Sequence, residues 1–452
     1  MPALKLTSYG AAGEVTGSCH LLQIGDFKLL IDCGFFQGSP ENYQKNGEKF
    51  GFNPAQLNAV ILTHAHLDHC GRLPLLYARG YTGSVYTTEA TSQLSQVVLD
   101  DNFFIMKERA QKYKLPVIYT LSDLKKLYSH WQAIDYYQNQ KLNNNINFTL
   151  HDAGHILGSA IIEVKAAGKT IIFSGDLGAK NMPLVKDVDY LSEADYVICE
   201  ATYGNRRHEG APQRNEKLLS VVKKTVLKNS TLLISVFAVE RTQDVLQVLN
   251  DYYETHLDWR VPVYLDSPMA VSATRIYNHH RELLNYSAQQ DLARDNDIFN
   301  FPHLKITNQL EQSQAINSAP TPKIILAGSG MAEGGRILHH LARYAPDSRN
   351  NILFMGYQVA GTLGHHLTHG AFDFHYFDNI IPVKANVEQI DAFSAHADQN
   401  DLLEWLRHFK KPRLVLLGHG DKNILPIFKD KISRELKFDC QILTSGSALD
   451  LI

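Results

Sequence analysis

The chain has 452 residues, enough for two sizeable domains, and its 44% hydrophobic and 20% charged side chains exclude a disordered or fibrous protein. Its 44 basic and 47 acidic side chains leave a net charge of −3, which excludes a global basic signature of nucleic-acid binding but not a local basic groove. No apolar stretch approaches the ~18 residues that span a bilayer, no charged-then-apolar leader opens the chain, and five scattered cysteines form no disulfide framework, so no membrane partner and a cytoplasmic location are expected.

Residues 4–9, 19–24 and 27–33 read as paired strands, the third ending in Asp32-Cys33-Gly34 with a carboxylate at its tip. The β-branched run 59–62 reads as a buried strand. It leads straight into Thr63-His64-Ala65-His66-Leu67-Asp68-His69-Cys70-Gly71, with a helix expected over 71–79. A partly helical stretch follows from 89 to about 137, then a polar break at 143–145. Strands at 160–165, 170–174 and 196–199 come next, and His155, Asp176 and Glu200 stand at strand ends. Such recurring placement assembles a site along one sheet edge.

From about residue 208 the rhythm changes to alternating helices and strands: helix 214–227, strand 231–236, helix 240–256, strand 261–265 and a helix opened by Ser267-Pro268. Strand 323–327, loop Gly328-Ser329-Gly330, helix 333–344 and strand 351–355 follow, which predicts a parallel α/β unit. Near 381–383 the earlier style resumes. Ala395-His396-Ala397-Asp398 precedes a helix, and strand 413–417 ends in Gly418-His419-Gly420-Asp421. The expected organisation is one domain made of 1–207 and 386–452, interrupted by an inserted domain at 208–385.

The histidine cluster is the strongest chemical signal, since only 21 of 452 residues are histidine. Alternate residues His64, His66 and Asp68 are expected to converge from the loop while His69 points elsewhere, an arrangement that suits two metals better than one. A structural zinc site would use cysteines at finger-like spacing, which are absent. Asp176, an acid among glycines, is the natural bridge between two metals, and His155 and His419 complete the set. Read singly, each of these three is as well a turn or packed residue; two metals, however, need more ligands than the cluster holds. Asp32 is expected to orient a ligand histidine by hydrogen bond.

These motifs resemble a known family. His64-Ala65-His66-Leu67-Asp68-His69 is similar to the HxHxDH signature of the metallo-β-lactamase fold, with Asp32, His155 and Asp176 at its other motif positions. Glu200, His396 and His419 resemble the three further motifs of the β-CASP nucleases, and Gly330–Arg336 and Asp266–Ala270 also match that family's phrases. The likeness runs from about residue 6 to 447 and is nearest to the RNA-processing branch, since DNA-processing members typically have valine where His419 stands. Departures are Gly418-His419-Gly420-Asp421 where Val-His-Gly-Glu is usual, and His365-His366 where relatives often place arginine.

The resemblance implies an αββα metallo-β-lactamase sandwich with an inserted parallel α/β β-CASP domain, and a zinc-dependent ribonuclease with Zn2+ at two per chain. One zinc would take His64, His66 and His155, the other Asp68, His69 and His419, with Asp176 shared. A metal-bridging hydroxide would attack the phosphorus, and His396 supported by Glu200 would protonate the leaving oxygen. Asp68 is counted with these two among the catalytic residues. Ser329, Arg336 and Ser394 are candidates for contact with the substrate, single-stranded RNA. Endonucleolytic and 5′-exonucleolytic modes stay open, as do a homodimer and the role of His365 and His366. The alternatives are a DNA nuclease of the same fold, a small-ester or thioester metallohydrolase, and a non-catalytic RNA-binding scaffold.

Overall fold

The computed structural model describes residues 2–208, 210–256, 258–295, 297–356 and 358–451. The chain divides into two compact units, one of residues 1–180, 187–207 and 396–452, the other of 181–186 and 208–395.

The first unit contains two seven-stranded sheets. In spatial order one runs Ala448–Asp450, Leu4–Ser8, His20–Ile24, Phe27–Ile31, Ala59–Ile61, Val85–Thr87 and Trp131–Ala133. The other runs Cys440–Ile442, Leu414–Gly418, Tyr196–Glu200, Lys169–Phe173, Ala160–Ala166, Ile146–Asp152 and Gln140–Asn143. Side chains alternate between the faces of a strand, and here both faces are apolar. Leu29, Ile31 and Ile61 point inward to meet Phe148, Ile162, Ile171 and Leu416 of the facing sheet. Leu30 and Val60 point outward to meet Leu73, Leu76, Leu99 and Leu124 of the helices over the first sheet. On the far side, Ile172, Val197 and Val415 carry the helices Gln399–Arg407 and Leu425–Glu435 through Leu402, Trp405, Phe428 and Ile432. The result is four layers, helix–sheet–sheet–helix, as the fold class required.

The second unit is built on six parallel strands in the order Leu304–Ile306, Val263–Leu265, Lys323–Ala327, Thr231–Ser235, Asn351–Met355 and Asn386–Ile390. A separate hairpin joins Asp373–Tyr376 to Asn379–Pro382.

Several expected boundaries move. The return to the first unit falls at His396 rather than at 386, because Asn386–Ile390 pairs in parallel with Asn351–Met355. Residues 181–186 also belong to the second unit, where the Asn285 amide donates to the carbonyls of Met182, Pro183 and Val185. The stretch 89–137 resolves into helices Glu89–Tyr113 and Leu121–Tyr128 and the strand Trp131–Ala133, with Thr120 and Asp123 forming a capping box at the second helix. The helix expected at 333 starts at Arg336, and that expected over 71–79 shortens to Leu73–Ala78 behind a helical turn at Leu67–Cys70.

Candidate metal centre

Strand direction gathers the site. Phe27–Ile31 and Ala59–Ile61 are parallel, so Asp32 and Thr63 leave the first sheet at one edge. In the facing sheet Lys169–Phe173, Tyr196–Glu200 and Leu414–Gly418 are mutually parallel, with Glu200 level with Gly418. Ile146–Asp152 shares their direction, being antiparallel to a strand that is itself antiparallel to Lys169–Phe173. Asp176, Glu200, His419 and His155 therefore follow the same edge. Glycine is needed where the loops cross: a Cβ on Gly34 would lie 1.5 Å from the Asp68 carbonyl oxygen, and one on Gly178 would lie 1.7 Å from that of Gly154.

Three overlapping groups of donors result; one is Asp176, Glu200 and His419, and the other two hold the remaining ligand candidates. His64, His66, His155 and Asp176 each bring a ligand atom within 4.8 Å of the others, and Asp68, His69 and His419 do the same. In the first, His66 Nδ1 lies 3.1 Å from His64 Nε2 and 3.0 Å from His155 Nε2. In the second, the Nε2 atoms of His69 and His419 are 3.1 Å apart, and Asp68 Oδ2 lies 3.4 Å from His419 Nε2. Asp176 faces both groups, with Oδ2 3.3 Å from His64 Nε2 and Oδ1 3.3 Å from His69 Nε2. Asp68 thus sits with His69 and not with His64 and His66. The helical turn from Leu67 replaces the extended alternation that the sequence suggested.

The donors have the chemistry of metal ligands. Buried nitrogens at such distances cannot all carry protons. Burial, with the neighbouring imidazoles, holds His66 and His155 well below the usual histidine range, hence neutral with lone pairs available. Burial opposes the charge on Asp176 as well, but His419, His69 and the other surrounding imidazoles keep it ionised. Its Oδ1 is buried without a hydrogen-bond partner, an orphan that a cation would satisfy.

Behind the donors lies a second set of residues. Asp32 accepts from Ser18 Oγ (3.1 Å) and from the Thr63 backbone N–H (2.9 Å), and its Oδ2 lies 2.7 Å from His69 Nδ1. Thr63 Oγ1 lies 3.0 Å from both Asp32 and His64 Nδ1, and Thr202 Oγ1 is 3.1 Å from His419 Nδ1. Asp32 and His419 both have positive φ (60° and 45°), a costly conformation for non-glycine residues that concentrates at functional sites. His396 Nδ1 lies 3.2 Å from both carboxylate oxygens of Glu200. Glu200 is fixed in turn by the backbone N–H groups of Leu177 (2.7 Å) and Thr202 (3.3 Å). Burial disfavours the charged imidazole of His396, but the Glu200 and Asp176 carboxylates outweigh it and raise its pKa to about 9.

The nine residues from His64 to His419 named above for metal or proton transfer, and Asp32, all meet in the first unit. Ser329, Arg336 and Ser394 lie in the second. Arg336 gives Nη1 to Asp266 (2.6 Å) and to the Thr307 carbonyl (3.0 Å), and Nη2 to the Asn308 carbonyl (2.9 Å), so a phosphate would have to compete with three internal contacts. The Ser329 N–H donates to the Gly334 carbonyl at 3.3 Å, and Ser394 is buried. His365 stacks on His369 with ring centroids 3.9 Å apart. Thr63 and Thr202 carried no signal in the sequence, since a threonine beside a motif is unremarkable until its hydroxyl is seen against an imidazole.

Three family models match along the chain: a metallo-beta-lactamase superfamily domain at residues 21–193, a Beta-Casp domain at 242–367, and a Zn-dependent metallo-hydrolase RNA specificity domain at 380–443. Ribonuclease TTHA0252 of Thermus thermophilus is 38% identical over 94% of this chain and 95% of its own length. Transcription termination factor FttA of Methanosarcina mazei is 33% identical over 99% of this chain and 72% of its own. A solved structure, a protein of unknown function from Enterococcus faecalis V583, shares the fold with a TM-score of 0.56 at 11% identity, covering 99% of this chain and 100% of that one. The donor clusters, the order of the three domains and the near full-length match to a relative agree: the chain belongs to the β-CASP family of metallo-β-lactamase-fold, metal-dependent hydrolases.

Proposed function

We propose that this chain is a zinc-dependent ribonuclease that hydrolyses phosphodiester bonds of single-stranded RNA with two zinc ions per chain. The observation that carries the two-metal reading is Asp176, whose two oxygens face two separate groups of donors. His64, His66 and His155 would hold one ion, and Asp68, His69 and His419 the other. The bound ions supply Lewis acidity toward the phosphate and lower the pKa of an attacking water.

The chain's own residues do the rest. Asp32 and Thr63 orient His69 and His64 through Nδ1, leaving their Nε2 atoms toward the donor groups. Glu200 accepts at His396 Nδ1 and holds a proton on that ring, which is the only partly exposed side chain of the pair (19% against 0%). When water oxygen bonds to phosphorus and the P–O3′ bond breaks, His396 gives its proton to the departing oxygen, leaving a 3′-hydroxyl and a 5′-phosphate. The Glu200 contribution to the charged imidazole persists once Asp176 and Asp68 are engaged by cations. RNA as the substrate rests on the ribonuclease relative matched over nearly its whole length and on the RNA specificity domain at 380–443. A reducing, cytoplasmic setting suits the five cysteines, all buried and free, and no helix among the described residues is long and apolar enough to cross a membrane.

The test is end-labelled single-stranded RNA digested beside DNA of the same sequence. Faster cleavage of RNA supports the reading, and the product lengths separate internal cutting from stepwise removal of nucleotides. Equal rates on both polymers, or no cleavage of either, would refute it.

A further inference from the structure

His419 reaches the centre from a loop of its own, and its far nitrogen, Nδ1, faces the Thr202 hydroxyl and, farther off at 3.5 Å, Asp176 Oδ1, an oxygen that the two-metal reading gives to the metals. A neutral imidazole carries one proton and can place it on either nitrogen. Only the form with the proton on Nδ1 leaves Nε2, the atom 3.1 Å from His69 Nε2 and 3.4 Å from Asp68, as a lone-pair donor. Thr202 Oγ1 lies 3.1 Å from His419 Nδ1. A hydroxyl can donate or accept, so contact alone would not choose between tautomers. Here the choice is made by a second contact, because the same hydroxyl donates to the His419 carbonyl oxygen at 3.2 Å. With its proton committed there, the oxygen turns a lone pair to Nδ1 and favours Nδ1–H. The protein uses the device twice: the Thr63 hydroxyl is committed to Asp32 at 3.0 Å and meets His64 Nδ1 at 3.0 Å. Thr202 is buried, so water does not replace it freely.

We infer that Thr202 is a positioning residue that selects the metal-binding tautomer of His419, so that the affinity of the Asp68, His69 and His419 group depends on this one hydroxyl. The inference rests on the two-metal reading. It also separates two roles of one residue. The backbone N–H of Thr202 holds Glu200 at 3.3 Å and survives any side-chain change, so a substitution reaches His419 and leaves the support of His396 in place.

The experiment compares Thr202→Val, which keeps the shape without the hydroxyl, with Thr202→Ser, which restores it. Metal-free protein is titrated with zinc against a chromophoric chelator, and the tautomer of His419 is read from long-range proton–nitrogen correlations in 15N-histidine-labelled protein. Partners of this kind typically account for about 10–100-fold in metal affinity. Thr202→Val should weaken one of two zinc sites by about that factor and move the His419 proton toward Nε2, and Thr202→Ser should return both to wild type. Two unchanged sites in Thr202→Val, or two sites weakened alike without a tautomer change, would overturn the role of Thr202 and leave the two-metal reading standing. A single zinc in the wild-type protein would overturn both.

Discussion

Replacing His396 by alanine removes the group assigned to protonate the leaving oxygen while leaving all seven donors of the two metal groups in place. A positioned general acid contributes about 10²–10⁴-fold in rate, which is about 2.7–5.4 kcal/mol of barrier at 1.36 kcal/mol per decade. His396→Ala should therefore fold, keep its metal and bind RNA, but cleave about 10²–10⁴-fold more slowly. Glu200→Gln acts on the same step through the proton. The Glu200 carboxylate favours the protonated imidazole of His396 against the effect of burial. Losing the Glu200 charge should therefore slow cleavage in the same direction as His396→Ala but less completely, with a deficit that shrinks as pH falls and the ring gains its proton more readily. The assay is single-turnover cleavage of an RNA with one scissile linkage, run beside the same RNA carrying sulfur in place of the bridging 3′-oxygen. The thiolate departs without a proton, so His396→Ala should recover most of its lost rate on that substrate. Zinc lost along with the side chain would make His396 a ligand. An oxygen substrate cleaved at the wild-type rate, or a sulfur substrate that stays slow, would refute the general-acid assignment.

Further outcomes follow from the same geometry. Elemental analysis of the purified protein should give two zinc ions per chain, fewer in Asp68→Ala; at most one metal, unchanged by that substitution, would contradict the two-group arrangement. Burial holds the His20 imidazole neutral down to about pH 4, whereas the unfolded chain takes up that proton near 6.5. Stability linked to His20 is thus complete above pH 6.5 and lost as pH falls toward 4, by about 3 kcal/mol at most. Urea unfolding of His20→Gln should show a shallower acid limb, and parallel limbs would remove the assignment. Arg336→Ala leaves the fully buried Asp266 without its guanidinium and should lower stability by about 3 kcal/mol, while the salt dependence of RNA binding stays that of wild type. A reduced salt slope at unchanged stability would return Arg336 to the phosphate.

The sequence by itself determined the chemistry of the centre and the class of the fold. Four donors in six positions after a β-branched strand are legible because they are contiguous, and their residue types exclude a cysteine-built structural site. The alternation of strands and helices after residue 208 was legible because each element carries its own period. Alternation along the loop misgrouped the donors, the family resemblance grouped them, and only the tertiary structure gives the physical reason. Asp68 joins His69 rather than His66 because a helical turn at Leu67–Cys70 replaces an extended loop, and a short loop leaves both conformations open in one dimension. Asn386–Ile390 joins the second unit because its partner strand Asn351–Met355 offers a parallel edge, a pairing that no local pattern encodes. Glu200 and His419 share an edge because their strands run parallel in register. The hydroxyls of Thr63 and Thr202, and the engagement of Arg336 by Asp266, depend on distances of about 3 Å between residues remote in the chain. A hydrogen bond is defined by such distances and angles, and the order of residues along a chain does not contain them.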